Sequence, residues 1–142
     1  MLDLLLNKSR DSSLKILCLG AHSDDIEIGC SGTIMKLLKT YSNVELLWIV
    51  FSADDIRKKE ALKSASLLLE KALNKKIRIH NFRDSFFPYQ GSEIKESFEK
   101  MKAFNPDLIF THQYSDLHQD HKQISELTYN TFRNHLVLEY EI

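Results

Sequence analysis

With 142 residues, 43% of them hydrophobic and 27% charged, the chain is the size of one ordinary domain and carries enough apolar material for a core without disulfides or a structural metal. Its 19 basic and 20 acidic side chains leave a formal charge of −1, which argues against a general nucleic-acid or membrane-surface binder. Four Gly and two Pro exclude collagen-like and low-complexity classes, and two cysteines, Cys18 and Cys30, are too few for a secreted disulfide scaffold.

The apolar start, Met1 to Leu6, is interrupted by Asp3 and is followed by no small-residue cleavage site. No run approaches the ~18 apolar residues of a membrane span. A soluble cytoplasmic protein is the expectation. Leu14–Gly20 (LKILCLG) then reads as a first strand, nearly continuous in apolar residues as strands covered on both faces are. A helix follows, with Ile34, Leu37, Leu38 and Tyr41 on one face. Cys30 is expected in the loop leading to it. Val44–Phe51 (VELLWIVF) is a second buried strand, and Ala61, Leu62, Ala65, Leu68, Leu69 and Ala72 stripe the helix after it. Lys76–Phe82 (KIRIHNF) alternates instead, as an edge strand with one wetter face does. Ile94, Phe98 and Met101 mark a third helix, which must stop near Asn105 because Pro106 disfavours helix at the residue before it. Asp107–His112 (DLIFTH) is a fourth strand, Asp120 to Arg133 a fourth helix, and Leu136–Ile142 (LVLEYEI) the opening of a fifth strand.

This alternation implies right-handed crossovers and an α/β class chain: a three-layer α/β/α, Rossmann-like sandwich around a mainly parallel sheet. There is no linker, repeat or low-complexity stretch, so residues 1–142 are expected to form a single domain. The fifth strand has no helix after it, which suggests a fold truncated at its C-terminus, and an uncovered edge strand favours self-association.

Polar side chains collect at two strand ends. The first strand runs into Gly20-Ala-His-Ser-Asp-Asp-Ile-Glu27, the fourth into Thr111-His-Gln-Tyr-Ser-Asp-Leu-His-Gln-Asp-His121. In the commonest doubly wound orders these strands are neighbours across the reversal of strand order, where ligands bind. His22, Asp24 and Asp25 would then face His118, Asp120 and His121. Imidazoles and carboxylates in that number can supply the three ligands of a catalytic zinc site and leave spares for acid–base work. Taken singly, His22-x-x-Asp25 is usually a capped turn and His118-x-x-His121 a solvated helix start; their coincidence at adjacent strand ends is what points to chemistry. His80 and His135 are read as structural, Cys18 as core, and His112 as a residue that either lines the rim or only packs. A receiver-like signalling domain also carries an acidic pair after its first strand, but here the third strand ends without a phosphoacceptor aspartate.

These residues resemble the PIG-L/LmbE family of zinc-dependent deacetylases acting on N-acetylglucosamine-type substrates. Ala21-His-Ser-Asp-Asp-Ile-Glu27 is similar to the family's Ala-His-Pro-Asp-Asp-x-Glu, and Gly29-Cys-Ser-Gly-Thr33 to its glycine-rich continuation. Asp116-Leu-His-Gln-Asp-His121, after Asn105-Pro-Asp107, is similar to the second signature, and Arg57-Lys-Lys-Glu-Ala61 to a weaker one. Asp84 falls where the family often has Asp-Gly, with Ser85 in place of the glycine.

The resemblance implies zinc held by His22, Asp25 and His121, with Asp24 as general base toward a zinc-bound water. It implies His118 as oxyanion stabiliser or general acid, oriented by Asp120, and Arg57 as a substrate contact. The implied activity is hydrolysis of a linear amide, removing an acetyl group from a small amino-sugar substrate, with no nucleic-acid partner and no membrane span. Iron(II) would suit the same donors. The alternative is a truncated metal-binding relative that serves as a binding or assembly module without catalysis.

Overall fold

The computed structural model describes Ser9 and residues 11–142; the apolar start at residues 1–6 lies outside the described residues. Five strands, β1 (Leu14–Gly20), β2 (Val44–Val50), β3 (Asn74–Ile79), β4 (Leu108–His112) and β5 (Leu136–Tyr140), form one sheet in the order β3-β2-β1-β4-β5. Every neighbouring pair is parallel. Helices α1 (Asp25–Thr40), α2 (Asp55–Leu68), α3 (Gly91–Met101) and α4 (Gln119–Thr131) make the crossovers. No helix among the described residues is long and apolar enough to cross a membrane.

The continuous apolar runs have the cause inferred for them. Alternate residues of the central strands enter two different cores. Leu14, Ile16, Cys18, Leu46, Trp48 and Phe110 pack with Ile26, Ile34, Ala65 and Leu69 of the α1–α2 layer. Leu17, Leu19, Leu47, Ile49 and Ile109 pack with Ile94, Phe98, Ile124 and Leu127 of the α3–α4 layer. The alternating strand is indeed an edge: most of β3 is exposed. Its register continues past Ile79, since the amides of His80 and Phe82 donate to Val50 O and Phe51 O at 2.8 and 3.0 Å. The Pro-Asp step before β4 locks that strand to β1. Lys15 N–H donates to Asp107 Oδ2 at 2.8 Å, and Asp107 N–H returns a bond to Lys15 O at 2.8 Å.

Two expectations need correction. Helix α1 begins at Asp25, so Gly29–Thr33 is helix and Cys30 is not in a loop. Gly29 is there for closeness rather than flexibility: a Cβ on it would sit 2.2 Å from Cδ2 of Tyr140. In α2, Leu62 is exposed and burial falls on Ala61 and Ala65, while the buried Leu69 and Ala72 lie at the C-cap and beyond the helix end.

Strand order reverses between β1 and β4. Helix α1 therefore leaves the end of β1 toward one face while α4 leaves the end of β4 toward the other, and a crevice opens between their first turns. Both polar segments end up on its walls.

Candidate metal centre

The wall from β1 is a tight turn. Gly20 ends the strand where a Cβ would meet Ile26 Cγ1 at 2.9 Å, and the chain then turns through Ala21–Asp24 into α1. The turn is closed by Asp25, whose Oδ2 accepts His22 N–H at 2.6 Å. The wall from β4 is organised by Asp116. Its Oδ1 accepts His118 N–H and its Oδ2 faces His121 Nδ1, both at 2.8 Å. His118 is the N-cap of α4, its Nδ1 accepting Asp120 N–H at 3.2 Å. A third wall is the loop between β3 and α3. There Ser85 N–H and Phe87 N–H donate to the fully buried carboxylate of Asp120 at 2.6 and 3.1 Å, while the Gln119 side-chain amide donates to Ser85 O.

Three atoms converge between the first two walls. His22 Nδ1 lies 3.2 Å from His121 Nε2 and 3.6 Å from Asp25 Oδ2, and the last two are 3.7 Å apart. In the neutral tautomers that the carboxylates beside their far nitrogens favour, neither imidazole nitrogen donates to the other. His22 Nε2 sits 3.2 Å from Asp84 Oδ1 and 3.3 Å from Asp120 Oδ2, so its hydrogen belongs there. His121 Nδ1 gives its hydrogen to Asp116. Both rings thus turn bare lone pairs toward each other and toward a carboxylate oxygen, an arrangement that repels itself unless a cation sits among them. A tetrahedral ion with bonds of about 2.0–2.1 Å sets its ligands roughly 3.4 Å apart, so spacing and donor set fit zinc or a similar divalent ion. Carboxylates on the far nitrogens are the usual way to fix such tautomers.

The electrostatics agree. Burial alone would push the Asp25 carboxyl up, but the adjacent His112 ring, the His22 amide and the His22 imidazole hold it below its ordinary value. Asp116 behaves likewise: His118 N–H and His121 outweigh its desolvation. Burial holds His112 below the ordinary imidazole range in spite of Asp25.

The remaining expected residues are placed less tightly. Asp24 is the N-cap of α1 but its side chain caps nothing; it is exposed in a depression shared with Glu27, Arg57 and Glu60. Arg57 also lines a polar cavity of about 540 Å³ that runs from His22 and Asp84 past Arg83, Ser52 and Asn81. The His118 ring stacks on His121 at 4.5 Å and meets His22 edge-on at 4.9 Å. Asp120 meets that ring through its backbone amide and not through its carboxylate. No hydrogen bond joins its carboxylate to the His118 imidazole; it holds the 85–87 loop and faces His22 instead.

Asp84, Asp116 and His112 belong to the cluster but are absent from the expected site. Asp116 lies inside the quoted signature, and Asp84 is an acid just past a strand's carboxyl end; both signals were available. His112 reads from sequence as either rim or packing, and the structure gives it both roles. His80 stacks between Phe51 and Phe82, and His135 reaches Asn105 at 3.3 Å, so neither joins the site.

Comparison with known proteins decides the family. Residues 17–132 match the family model PIG-L, GlcNAc-PI de-N-acetylase. The chain belongs to this family. Diacetylchitobiose deacetylase of Thermococcus kodakarensis is 27% identical over 123 residues, in an alignment that covers 76% of this PIG-L chain and 44% of that protein. The structure of N,N'-diacetylchitobiose deacetylase from Pyrococcus horikoshii with its inhibitor MPG superposes with a TM-score of 0.66 at 29% identity, over 84% of this chain and 49% of that one. At 15% identity, 4-carboxy-2-hydroxymuconate hydratase of Pseudomonas putida shares the fold with a TM-score of 0.69, over 83% of this chain and 55% of that one. The PIG-L chain spans about half the length of the relatives it matches. Since a hydratase shares the sheet and helices, the fold alone does not choose the reaction.

Proposed function

We propose that this PIG-L chain is a metal-dependent N-deacetylase that removes an acetyl group from an N-acetylated amino sugar or its conjugate. The observation that carries the reading is the convergence of His22 Nδ1, Asp25 Oδ2 and His121 Nε2, with a carboxylate against the far nitrogen of each imidazole. Those three residues would hold zinc, or iron(II) in its place. The ion would supply the Lewis acid that acidifies water and polarises the amide carbonyl.

The chain's own groups divide the remaining work. Asp24 projects from the N-cap without a hydrogen bond of its own, free to take a proton from the attacking water. His118 accepts Asp120 N–H at Nδ1, which leaves its Nε2 to carry hydrogen. That hydrogen can stabilise the oxyanion, while the proton that Asp24 takes goes to the departing amine. Arg57 and Arg83 flank the polar cavity beside His22 and suit the hydroxyl and carbonyl oxygens of a sugar. The deacetylase names of the family and of two relatives, over a domain matched from residue 17 to 132, support the same reaction class.

The deciding experiment measures acetate release from a panel of N-acetyl amino sugars by the zinc-loaded protein and by Asp24→Asn, with zinc content determined for both. Deacetylation by the wild type that Asp24→Asn loses while keeping its zinc supports the assignment. Unchanged turnover in the variant removes Asp24 as base. One bound zinc with no hydrolysis of any panel member leaves the second reading, a metal-binding module.

A further inference from the structure

The three converging ligands come from two separate segments, and one ring outside the set touches both. His112, the last residue of β4, has no exposed surface at all. Its Nε2 lies 3.0 Å from Ala21 N, whose hydrogen points at it, and 3.1 Å from Asp25 Oδ2. Ala21 and Asp25 bracket the turn that carries His22. The same ring stacks on His121, with centroids 3.9 Å apart and planes 10° from parallel. From the far side Tyr140 braces it: the phenol ring lies 4.9 Å away, and the hydroxyl, which donates to Leu19 O at 2.6 Å, is 3.4 Å from Nε2. Tyr140 is itself seated on Gly29, where no larger residue fits.

We infer that His112 is a positioning residue for the metal centre: one imidazole sets the spacing of all three ligands. It does so by accepting the Ala21 amide for His22, by the 3.1 Å approach of its Nε2 to Oδ2 for Asp25, and by stacking for His121. The arrangement answers a physical need. Lone pairs and a carboxylate oxygen placed 3.2–3.7 Å apart repel when no cation separates them. A ligand turn held only by its own backbone would relax away from that geometry, and the binding energy of the ion would be spent reassembling it. A buried ring packed against both segments keeps the metal-free centre assembled. His112 Nδ1, buried and without a hydrogen-bond partner, points to the same conclusion, because a polar ring is costly here unless the Nε2 contacts repay it.

A purely structural role predicts that His112 could be exchanged for any ring of similar size. His112→Phe preserves volume and stacking but removes Nε2. The experiment titrates zinc into the metal-free full chain against a competing chelator, records the absorption spectrum of the cobalt(II) form, and measures the melting temperature of the metal-free protein. The expected result for His112→Phe is zinc affinity lowered at least tenfold and altered cobalt bands, with the metal-free melting temperature kept within a few degrees. His112→Gln, which can return a polar atom near the Nε2 position, is expected to recover part of the affinity.

Wild-type affinity in folded His112→Phe overturns the inference. Should His112→Phe fail to fold, His112→Asn, which lacks an atom at that position, takes its place: tenfold weaker binding supports the inference and wild-type binding overturns it. The inference rests on the ion-binding part of the proposed function, and the two fail separately. A wild-type chain that binds no zinc sinks both, whereas a wild type that binds zinc no better than His112→Phe sinks this one alone.

Discussion

The ring of His22 divides the centre into two regions of unlike construction. On its Nδ1 side stand Asp25, His121 and His112, all buried, with acceptor atoms aimed at one another. On its Nε2 side stand Asp84, Asp120 and His118, paired as imidazole to carboxylate, carboxylate to two backbone amides, and cap to helix. The inner region turns acceptors toward one another; the outer, His118 Nε2 apart, is saturated. Buried acceptors that face one another need something to separate them, so the difference fits an inner place for an ion and an outer scaffold that would aim it.

Removing an inner ligand breaks this contrast most severely. His121→Ala and Asp25→Ala should each abolish measurable zinc binding and, with it, deacetylation. The wild type should also gain about 2.7 kcal/mol of stability at zinc concentrations 100-fold above Kd, an increment the variants lack. Denaturant unfolding with and without chelator measures it. Equal stability of the wild type in both conditions would mean that the inner atoms do not form one ion site.

Asp24 tests whether chemistry is separable from binding. It is exposed, holds no cap bond and contributes to neither set of contacts, so Asp24→Asn should leave zinc affinity and stability near wild type. Its kcat should fall by about 10²–10⁴, the usual worth of a general base. A parallel fall in zinc affinity would instead make Asp24 part of the ligand scaffold.

Asp120 tests the outer region. Asparagine can accept only one of the two amides that the carboxylate now accepts, from Ser85 and Phe87, and would face the other with its own N–H. A buried donor left without an acceptor costs about 1–3 kcal/mol. Asp120→Asn should therefore lower the stability of the metal-free protein by that amount and weaken zinc about tenfold through His22. Loss of zinc affinity with stability intact would show that the loop draws its support from elsewhere, for instance from Gln119 and the packing of Phe87.

The sequence carries the fold more fully than it carries the centre. Strands covered on both faces write themselves as apolar runs, and edge strand β3 as an alternation, because each pattern follows directly from which faces meet water. The rim was legible as two polar segments, since strand ends gather functional groups in any open parallel sheet. The start of α1 was not legible. Glycines at positions 29 and 32 read as loop until it is known that Tyr140, more than a hundred residues later, needs the space over Gly29. His112 was only half legible for a related reason: a histidine closing an apolar strand can line the rim or only pack, and its partners Ala21, Asp25 and Tyr140 are contributed by other segments. Asp120 was assigned to the imidazole two residues away, whereas its carboxylate serves amides some 33 to 35 residues distant. Local spacing shows which residues share a segment; it does not show which neighbour a carboxylate chooses.

Ser85 makes the finest test of the comparison. Its φ of 63° lies in the left-handed region, where a side chain costs roughly 1–2 kcal/mol and glycine costs little. The conformation is imposed from outside, because it turns the Ser85 and Phe87 amides together onto Asp120. Ser85→Gly removes that strain but frees the unfolded chain by a comparable amount, and it loses only an exposed hydroxyl contact to Asp84. Its stability should shift by less than about 1 kcal/mol, with zinc affinity unchanged. Ser85→Val, β-branched and least tolerant of positive φ, should instead cost about 1–2 kcal/mol and weaken zinc along with it. The pair separates backbone from side chain at one position. If valine proves as harmless as glycine, the amides of this loop are not what anchors Asp120, and the saturated side of His22 owes its order to the helix alone.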